Sequence, residues 1–353
     1  MAILLTGWSA LTGPAYAEIP ADNNSAVIFV YQRVGEDALS DRNIPLEQFK
    51  AHLREIKSGD YNILPLQEIV DRLQDDKNPL PSRTIAITFD GAWLPTMNNV
   101  IPLLKKEKLP FTVFVLSDAA DAGNDQHMDW TALKKLRKNK LADIGLLPAV
   151  YEYMTDNTEA ENADTMNRAV TKYREIFKDD PTLFAWPYGA YTKKLQEKIS
   201  AYGFKAAVGQ QSGVAHAGSD MMALPRFIMT GEYGDLDRFR LTVRARPLPV
   251  SDVMPDSPGL DDDNQPIIGF TLAPELQSRA GDLSCFVSDI GKTDIQQLGG
   301  NRIEIRLDTS FFDKKNRINC TMPTDNADEW RWFGMILVSK NTELTASAGN
   351  QSE

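Results

Sequence analysis

The chain has 353 residues, 42% hydrophobic and 25% charged, enough for one large core or two moderate ones and without the bias of a disordered chain. Its 38 basic side chains stand against 49 acidic ones, a formal charge of −11 that repels phosphate backbones and anionic lipid alike. Nucleic acid is therefore excluded as a partner, and no segment beyond the N-terminus is apolar enough for a membrane helix.

The first predicted element is a secretory signal over residues 1–17. An apolar run from Ala2 to about Leu11 is followed by Gly13-Pro14 and then by Ala15-Tyr16-Ala17, a small-x-small cleavage pattern, although the start lacks Lys or Arg. The run is too short to span a bilayer, so the expectation is a periplasmic or secreted protein.

From Ala26 to about Val243, strands and helices alternate. Residues 26–31 form an apolar strand run, Leu46 to Lys57 has helical spacing with Phe49, Leu53 and Ile56 on one face, and residues 63–66 return as a short strand. Residues 84–89 predict a strand, Met97 to Lys106 a helix, residues 111–115 a strand, and Trp130 to Lys138 a helix. This order implies an α/β fold with a parallel sheet, doubly wound or closed into a barrel, with chemistry at the carboxyl ends of its strands. The Pro- and Asp-rich stretch 244–264 lacks periodicity and reads as a linker. Residues 265–340 then predict a small all-β, sandwich-like domain with short strands at 267–272, 283–287, 302–307, 317–321 and 330–338, and 341–353 a disordered tail. The two cysteines, Cys285 and Cys320, both lie in this domain and predict one disulfide in an oxidising compartment.

The residue most expressive of chemistry is Asp90, in Thr88-Phe89-Asp90-Gly91-Ala92-Trp93, because it ends a buried strand where a pocket would form. This segment resembles the first motif of the polysaccharide deacetylases of the NodB-homology type, carbohydrate esterase family four, in which Thr-Phe-Asp-Asp-Gly-Tyr follows a strand. Further segments are similar in order and spacing: Val30-Tyr31-Gln32-Arg33-Val34, Leu46-Glu47-Gln48-Phe49, Leu109 to Val115, and Phe184-Ala185-Trp186-Pro187-Tyr188-Gly189. The resemblance covers about residues 26–243 and implies a deformed (β/α) barrel. The tail strings Arg317 to Thr321 and Trp330 to Gly334 resemble the β appendage of an alphaproteobacterial-type subgroup. In the family, the first aspartate is the general base, the second a metal ligand, and a backbone amide of the Pro-Tyr-Gly motif helps form the oxyanion hole. Residue by residue, Asp90 keeps the base position and Tyr188 the oxyanion position.

The metal set of the family is not matched. Gly91 stands at the second aspartate, and where relatives place His-Ser/Thr-x-x-x-His after Ile-Gly, the residues after Ile144-Gly145 put Leu147 and Tyr151 at the two imidazole positions. Leucine has no lone pair, and a phenol of pKa about 10 is a poor zinc ligand. Only three histidines exist: His52, expected on a solvated helix face, His127, expected in an exposed loop, and His216, expected to follow a strand and face the pocket. Gln32 and Gln211 stand where relatives commonly carry histidine, and glutamine hydrogen-bonds without acting as an acid.

Without a cation to lower the pKa of the attacking water from about 15.7 to about 7, Asp90 has nothing to activate. No metal cofactor is expected, although the family uses a divalent ion such as zinc. Trp93, Trp186, Pro187 and Tyr188 are expected to leave an aromatic rim suited to sugar, with Gln32, Gln211 and His216 lining it, while packing of both tryptophans in the core is the competing reading. The leading expectation is an exported, metal-less pseudoenzyme that binds a glycan or a partner such as an active deacetylase relative. An active deacetylase with an unusual set, Asp90, His216 and Tyr151, is the alternative, and an envelope protein that binds through its β domain is the third reading.

Overall fold

The computed structural model describes residues 19–36, 42–260, 266–307 and 314–339. The expected signal segment and C-terminal tail lie outside these residues.

The first layer is a curled, mostly parallel sheet. Its main strands are β1 (Ser25–Tyr31), β2 (Thr84–Asp90), β3 (Phe111–Val115), β4 (Ala142–Leu146), β5 (Leu183–Ala185), β6 (Ala206–Val208) and β7 (Phe227–Met229), with the two-residue strands Asn62–Ile63 and Ala215–His216 added on β2 and β1. They pair in chain order from β1 to β6, β7 returns to the free side of β1, and a bridge between Val208 and Leu224 joins the two ends, so that the sheet curls toward a barrel. Every residue of β2 is buried, as expected of a parallel strand covered on both faces. Asp90, its last residue, is consequently buried too.

The helices follow from their spacing and caps. Leu46–Ser58 turns Phe49, Leu53 and Ile56 inward as predicted, and Glu159–Phe177 starts at a capping box in which Thr158 and Glu161 satisfy each other's backbone amides. Residues 63–66 are a strand only at Asn62–Ile63; Leu66 opens a helix to Leu73 behind Pro65, whose missing N–H is tolerated before a first turn.

The second layer is an eight-stranded sheet made of β8 (Arg246–Pro247), β9 (Val250–Met254), β10 (Ile268–Leu272), β11 (Ser284–Val287), β12 (Gly291–Leu298), β13 (Arg302–Arg306), β14 (Lys315–Pro323) and β15 (Trp330–Val338). The first half of β12 pairs with β11 and its second half with β13, which folds the sheet about an apolar core containing Phe270, Ile303, Ile318 and Leu337. Much of the stretch expected to be a linker is thus sheet: β8 lies against β15 and β9 against β10.

Cys285 and Cys320 form the expected disulfide between directly opposed residues of β11 and β14. It closes a loop of sequence separation 35. In the chain-entropy account such a closure contributes roughly 3–4 kcal/mol. Replacing both cysteines by serine is expected to lower the stability of the β domain by that amount in a urea titration monitored by circular dichroism; a change below about 1 kcal/mol would contradict it.

The two layers meet along β14. Its alternation is strict: Asn316, Ile318, Cys320 and Met322 turn into the β-domain core, leaving Lys315, Arg317 and Asn319 on the opposite face. That face looks toward the barrel. Asn319 accepts a hydrogen bond from the indole of Trp332, whose ring meets Phe227 of β7 edge-on at 5.2 Å, and the Lys315 ammonium donates to Gln210 Oε1 at 2.8 Å.

Candidate functional site

Asp90 ends β2 with only 1% of its surface exposed. Its partner is Arg226, fully buried immediately before β7, whose guanidinium donates to both carboxylate oxygens at 2.8 and 2.7 Å. The same guanidinium donates to Gly209 O at 2.8 Å and to Thr88 Oγ1 at 3.0 Å, fixing its plane. A bidentate pair is the strongest carboxylate–guanidinium geometry, and here it occupies both oxygens of the residue in the base position.

Tyr151 lies beside this pair. Its phenol oxygen receives Gln32 Nε2 at 3.1 Å, Gln210 Nε2 at 3.2 Å and the Tyr188 backbone amide at 3.3 Å. Burial, and then the negative charge of Asp90, push its ionisation well above the ordinary phenol value, so the side chain stays a neutral phenol. Tyr188 sits at φ 58° inside the Pro187–Gly189 turn. The next residue must be glycine: Gly189 has φ +74°, and a Cβ there would stand 2.6 Å from the Gln210 amide nitrogen. The Tyr188 amide, expected at an oxyanion position, is thus presented by the turn and donates to Tyr151.

The other ligand positions are closed in different ways. Leu147 is fully buried among Phe114, Leu116 and their neighbours. Gly91 has φ +98°, and a Cβ there would meet Trp93 Nε1 at 2.5 Å, so the indole fills the space a side chain would take at this expected ligand position. Trp93 is half-buried, with the Arg33 guanidinium 3.6 Å over its ring and His127 against it at 4.0 Å. With Gly91 lacking a side chain, Leu147 lacking a donor, the phenol engaged and Asp90 held by Arg226, these residues do not fit a divalent cation. Among the described residues no group of three His, Cys, Asp or Glu side chains converges.

Several expected site residues lie elsewhere. His52 is fully buried, not solvated: its Nδ1 shares a hydrogen bond with Tyr31 Oη at 3.0 Å, its Nε2 one with Gly234 O at 2.7 Å, and its ring stacks on Phe239 at 3.9 Å. Burial lowers its pKa to about 4. His127 is half-buried against Trp93 rather than exposed, and both ring nitrogens are buried without a hydrogen-bond partner. His216 pairs with Ser25 at the opposite end of β1, one residue before the Ala26–Thr84 pair, so Asp90 lies seven residues further along, or roughly 23 Å of strand. The set Asp90, His216 and Tyr151 therefore does not converge. His216 instead lines a cavity of about 310 Å³ between the layers, together with Gln211 and Trp332.

Trp186 is core, with no exposed surface and its indole donating to Met222 O at 2.8 Å, and Pro187 is buried beside it. Gln32 does reach the site, but Gln211 turns away and donates to Ala223 O at 2.7 Å; its neighbour Gln210 takes the position facing Tyr151. Arg226, Gln210 and Lys315 are the site residues that the sequence reading missed. The signal for the first was a lone charge abutting the apolar run Phe227–Met229; the other two carried none.

The polysaccharide deacetylase family model matches residues 77–207, the span from just before β2 to the middle of β6. YxkH of Bacillus subtilis, a polysaccharide deacetylase by name, is 22% identical over 185 residues, covering 52% of this chain and 64% of its own length. The poly-beta-1,6-N-acetyl-D-glucosamine N-deacetylase of Staphylococcus aureus is 22% identical over 221 residues, covering 58% of this chain and 73% of that protein. Among solved structures, the Streptococcus pyogenes deacetylase PplD in complex with acetate superposes with a TM-score of 0.55 at 17% identity, covering 60% of this chain and 95% of the other. IcaB from Ammonifex degensii does so with 0.52 at 23% identity, covering 60% and 94%.

Proposed function

We propose that this chain, which carries a polysaccharide deacetylase domain, is an exported glycan-binding pseudoenzyme in which the hydrolytic site has been rebuilt as a closed structural network. The supporting observation is the sealed Asp90. A general base must meet the proton it removes within hydrogen-bond reach, and Asp90, 1% exposed, is buried in the barrel interior with each of its oxygens accepting from Arg226. Tyr151 supports the same reading, because its phenol holds the Tyr188 amide that an oxyanion would need. Losing cationic help of several kcal/mol costs several powers of ten in rate, since about 1.4 kcal/mol is tenfold.

The purified protein, supplied with zinc or cobalt, is expected to retain less than stoichiometric metal by elemental analysis and to release no acetate from acetylated glucosamine oligomers above a protein-free control. Stoichiometric metal accompanied by acetate release overturns the proposal. Export and a periplasmic or secreted location belong to the same proposal, and cleavage after Ala17, read by N-terminal sequencing of the mature protein, tests them.

A further inference from the structure

We propose that the face of β14 turned toward the carboxyl ends of the barrel strands binds an acidic saccharide, seating its carboxylate or sulfate among Lys315, Arg317 and Arg42. The inference rests on the glycan-binding reading and specifies the charge of the ligand.

The alternation of β14 places Lys315 and Arg317, two residues apart, on the face turned toward the barrel. Lys315 reaches Gln210 Oε1, and Gln210 in turn donates to Tyr151, so the ammonium sits one side chain away from the closed site. Arg42 approaches from the other side, 6.0 Å from the Tyr151 ring centroid and 5.4 Å from that of Tyr188. Arg317 lies 5.6 Å over Tyr233. Aromatic faces hold an arginine in place without neutralising it, as a carboxylate would. The Arg317 Nε is buried and has no hydrogen-bond partner.

Charge bookkeeping at the mouth points the same way. Arg226 and Asp90 cancel each other, and Glu232 lies close enough to Arg317 to offset one further charge. Lys314, on the edge, is spent on Asp156 at 2.8 Å. Among the described residues, Arg42, Arg226, Lys315 and Arg317, with Arg238 beside Arg317, thus outnumber the carboxylates Asp90, Glu232 and Asp235 that bear on them, in a chain whose total charge is −11. Burial and the neighbouring Arg317, Arg42 and Arg226 hold the Lys315 ammonium well below its ordinary pKa, with Asp90 the lesser opposing influence. An incoming anion relieves that repulsion. Around it, Tyr153 and Tyr188 stack at 4.1 Å and offer edges and hydroxyls to a sugar ring.

The test is calorimetric titration of the full chain with uronic-acid oligomers, sulfated glucosamine oligomers, neutral glucosamine oligomers of equal length, and a poly-glutamate peptide. The expected result is that a uronate or sulfated oligomer binds roughly tenfold or more tightly than the neutral one, that the preference shrinks as salt is raised, and that Lys315→Gln and Arg317→Gln each remove most of it. Which of the two acidic oligomers binds more tightly identifies the anion. Equal affinity for neutral and acidic oligomers overturns this inference while leaving glycan binding in place, and so does a wild-type preference that ignores salt. Poly-glutamate binding as tightly as the saccharides, or no binding at all, also overturns it. Acetate release would sink the pseudoenzyme reading independently. The salt dependence and the acidic-to-neutral ratio are read on the unmodified protein, so they stand even if a variant folds poorly.

Discussion

Replacing Arg226 with alanine is expected to destabilise the protein by about 3–5 kcal/mol, because it strips the partner from a carboxylate held in the barrel interior. Asp90 and Arg226 are 1% and 0% exposed, and two of the guanidinium's four bonds go to the carboxylate. In a native pair the desolvation of both ions is offset by their attraction, whereas a single mutant keeps one desolvation cost and loses the offset. Asp90→Asn is therefore expected to be costly as well, since the guanidinium then loses its countercharge. The double variant Asp90→Leu/Arg226→Met, apolar on both sides, is expected to recover most of the loss, because removing a buried pair whole is often close to neutral. Urea unfolding of the wild type, the double variant and its two component single variants, Asp90→Leu and Arg226→Met, gives the coupling energy directly. If Arg226→Ala costs less than about 1 kcal/mol, the pair is not the lock described above, and the inference that Asp90 is unavailable as a base fails with it.

The architecture was legible where local pattern and burial coincide. β1, β2 and β3 are apolar runs buried on both faces, and Leu46–Ser58 carries its inward residues at helical spacing, so periodicity alone located them. β12 escaped because its residues are largely exposed and polar, with only Thr293 buried; its strand character comes from partners on either side, which no local window contains. The same limit governs the site. Asp90 was identifiable from its position at a strand end, but Arg226 is 136 residues away in the chain and meets it only because the sheet curls. Gln210 and Gln211 show how fine the remaining margin is: both were available to face the site, and the local turn of the backbone, not residue type, gave the position to Gln210. His52 was misplaced for a related reason. The helix face it occupies looked solvated until the segment around Gly234 and Phe239 folded over it.

Trp186→Ala is expected to cost about 3–5 kcal/mol, the range for truncating a large aromatic in a core, and this loss separates the two roles the sequence left open for the residue. A rim residue exposes a ring face to ligand; Trp186 exposes none. Its ring meets Phe184 edge-on at 5.1 Å and lies 5.3 Å from Tyr191, and its indole nitrogen is bonded to Met222 O. Truncation removes those contacts, leaves a cavity the size of an indole, and takes the indole donor from the partly buried Met222 carbonyl. Trp93→Ala is the matched control: the ring is half-buried under Arg33, so its loss is expected to cost less than half as much. Urea midpoints and near-ultraviolet circular dichroism of the two variants decide the matter. A Trp186→Ala protein that unfolds at the wild-type midpoint yet binds glycan more weakly would return Trp186 to the binding surface. An unfolding free energy lowered by several kcal/mol, with the aromatic dichroism reduced, places it in the scaffold that holds the Pro187–Gly189 turn, and through that turn the Tyr188 amide, in position.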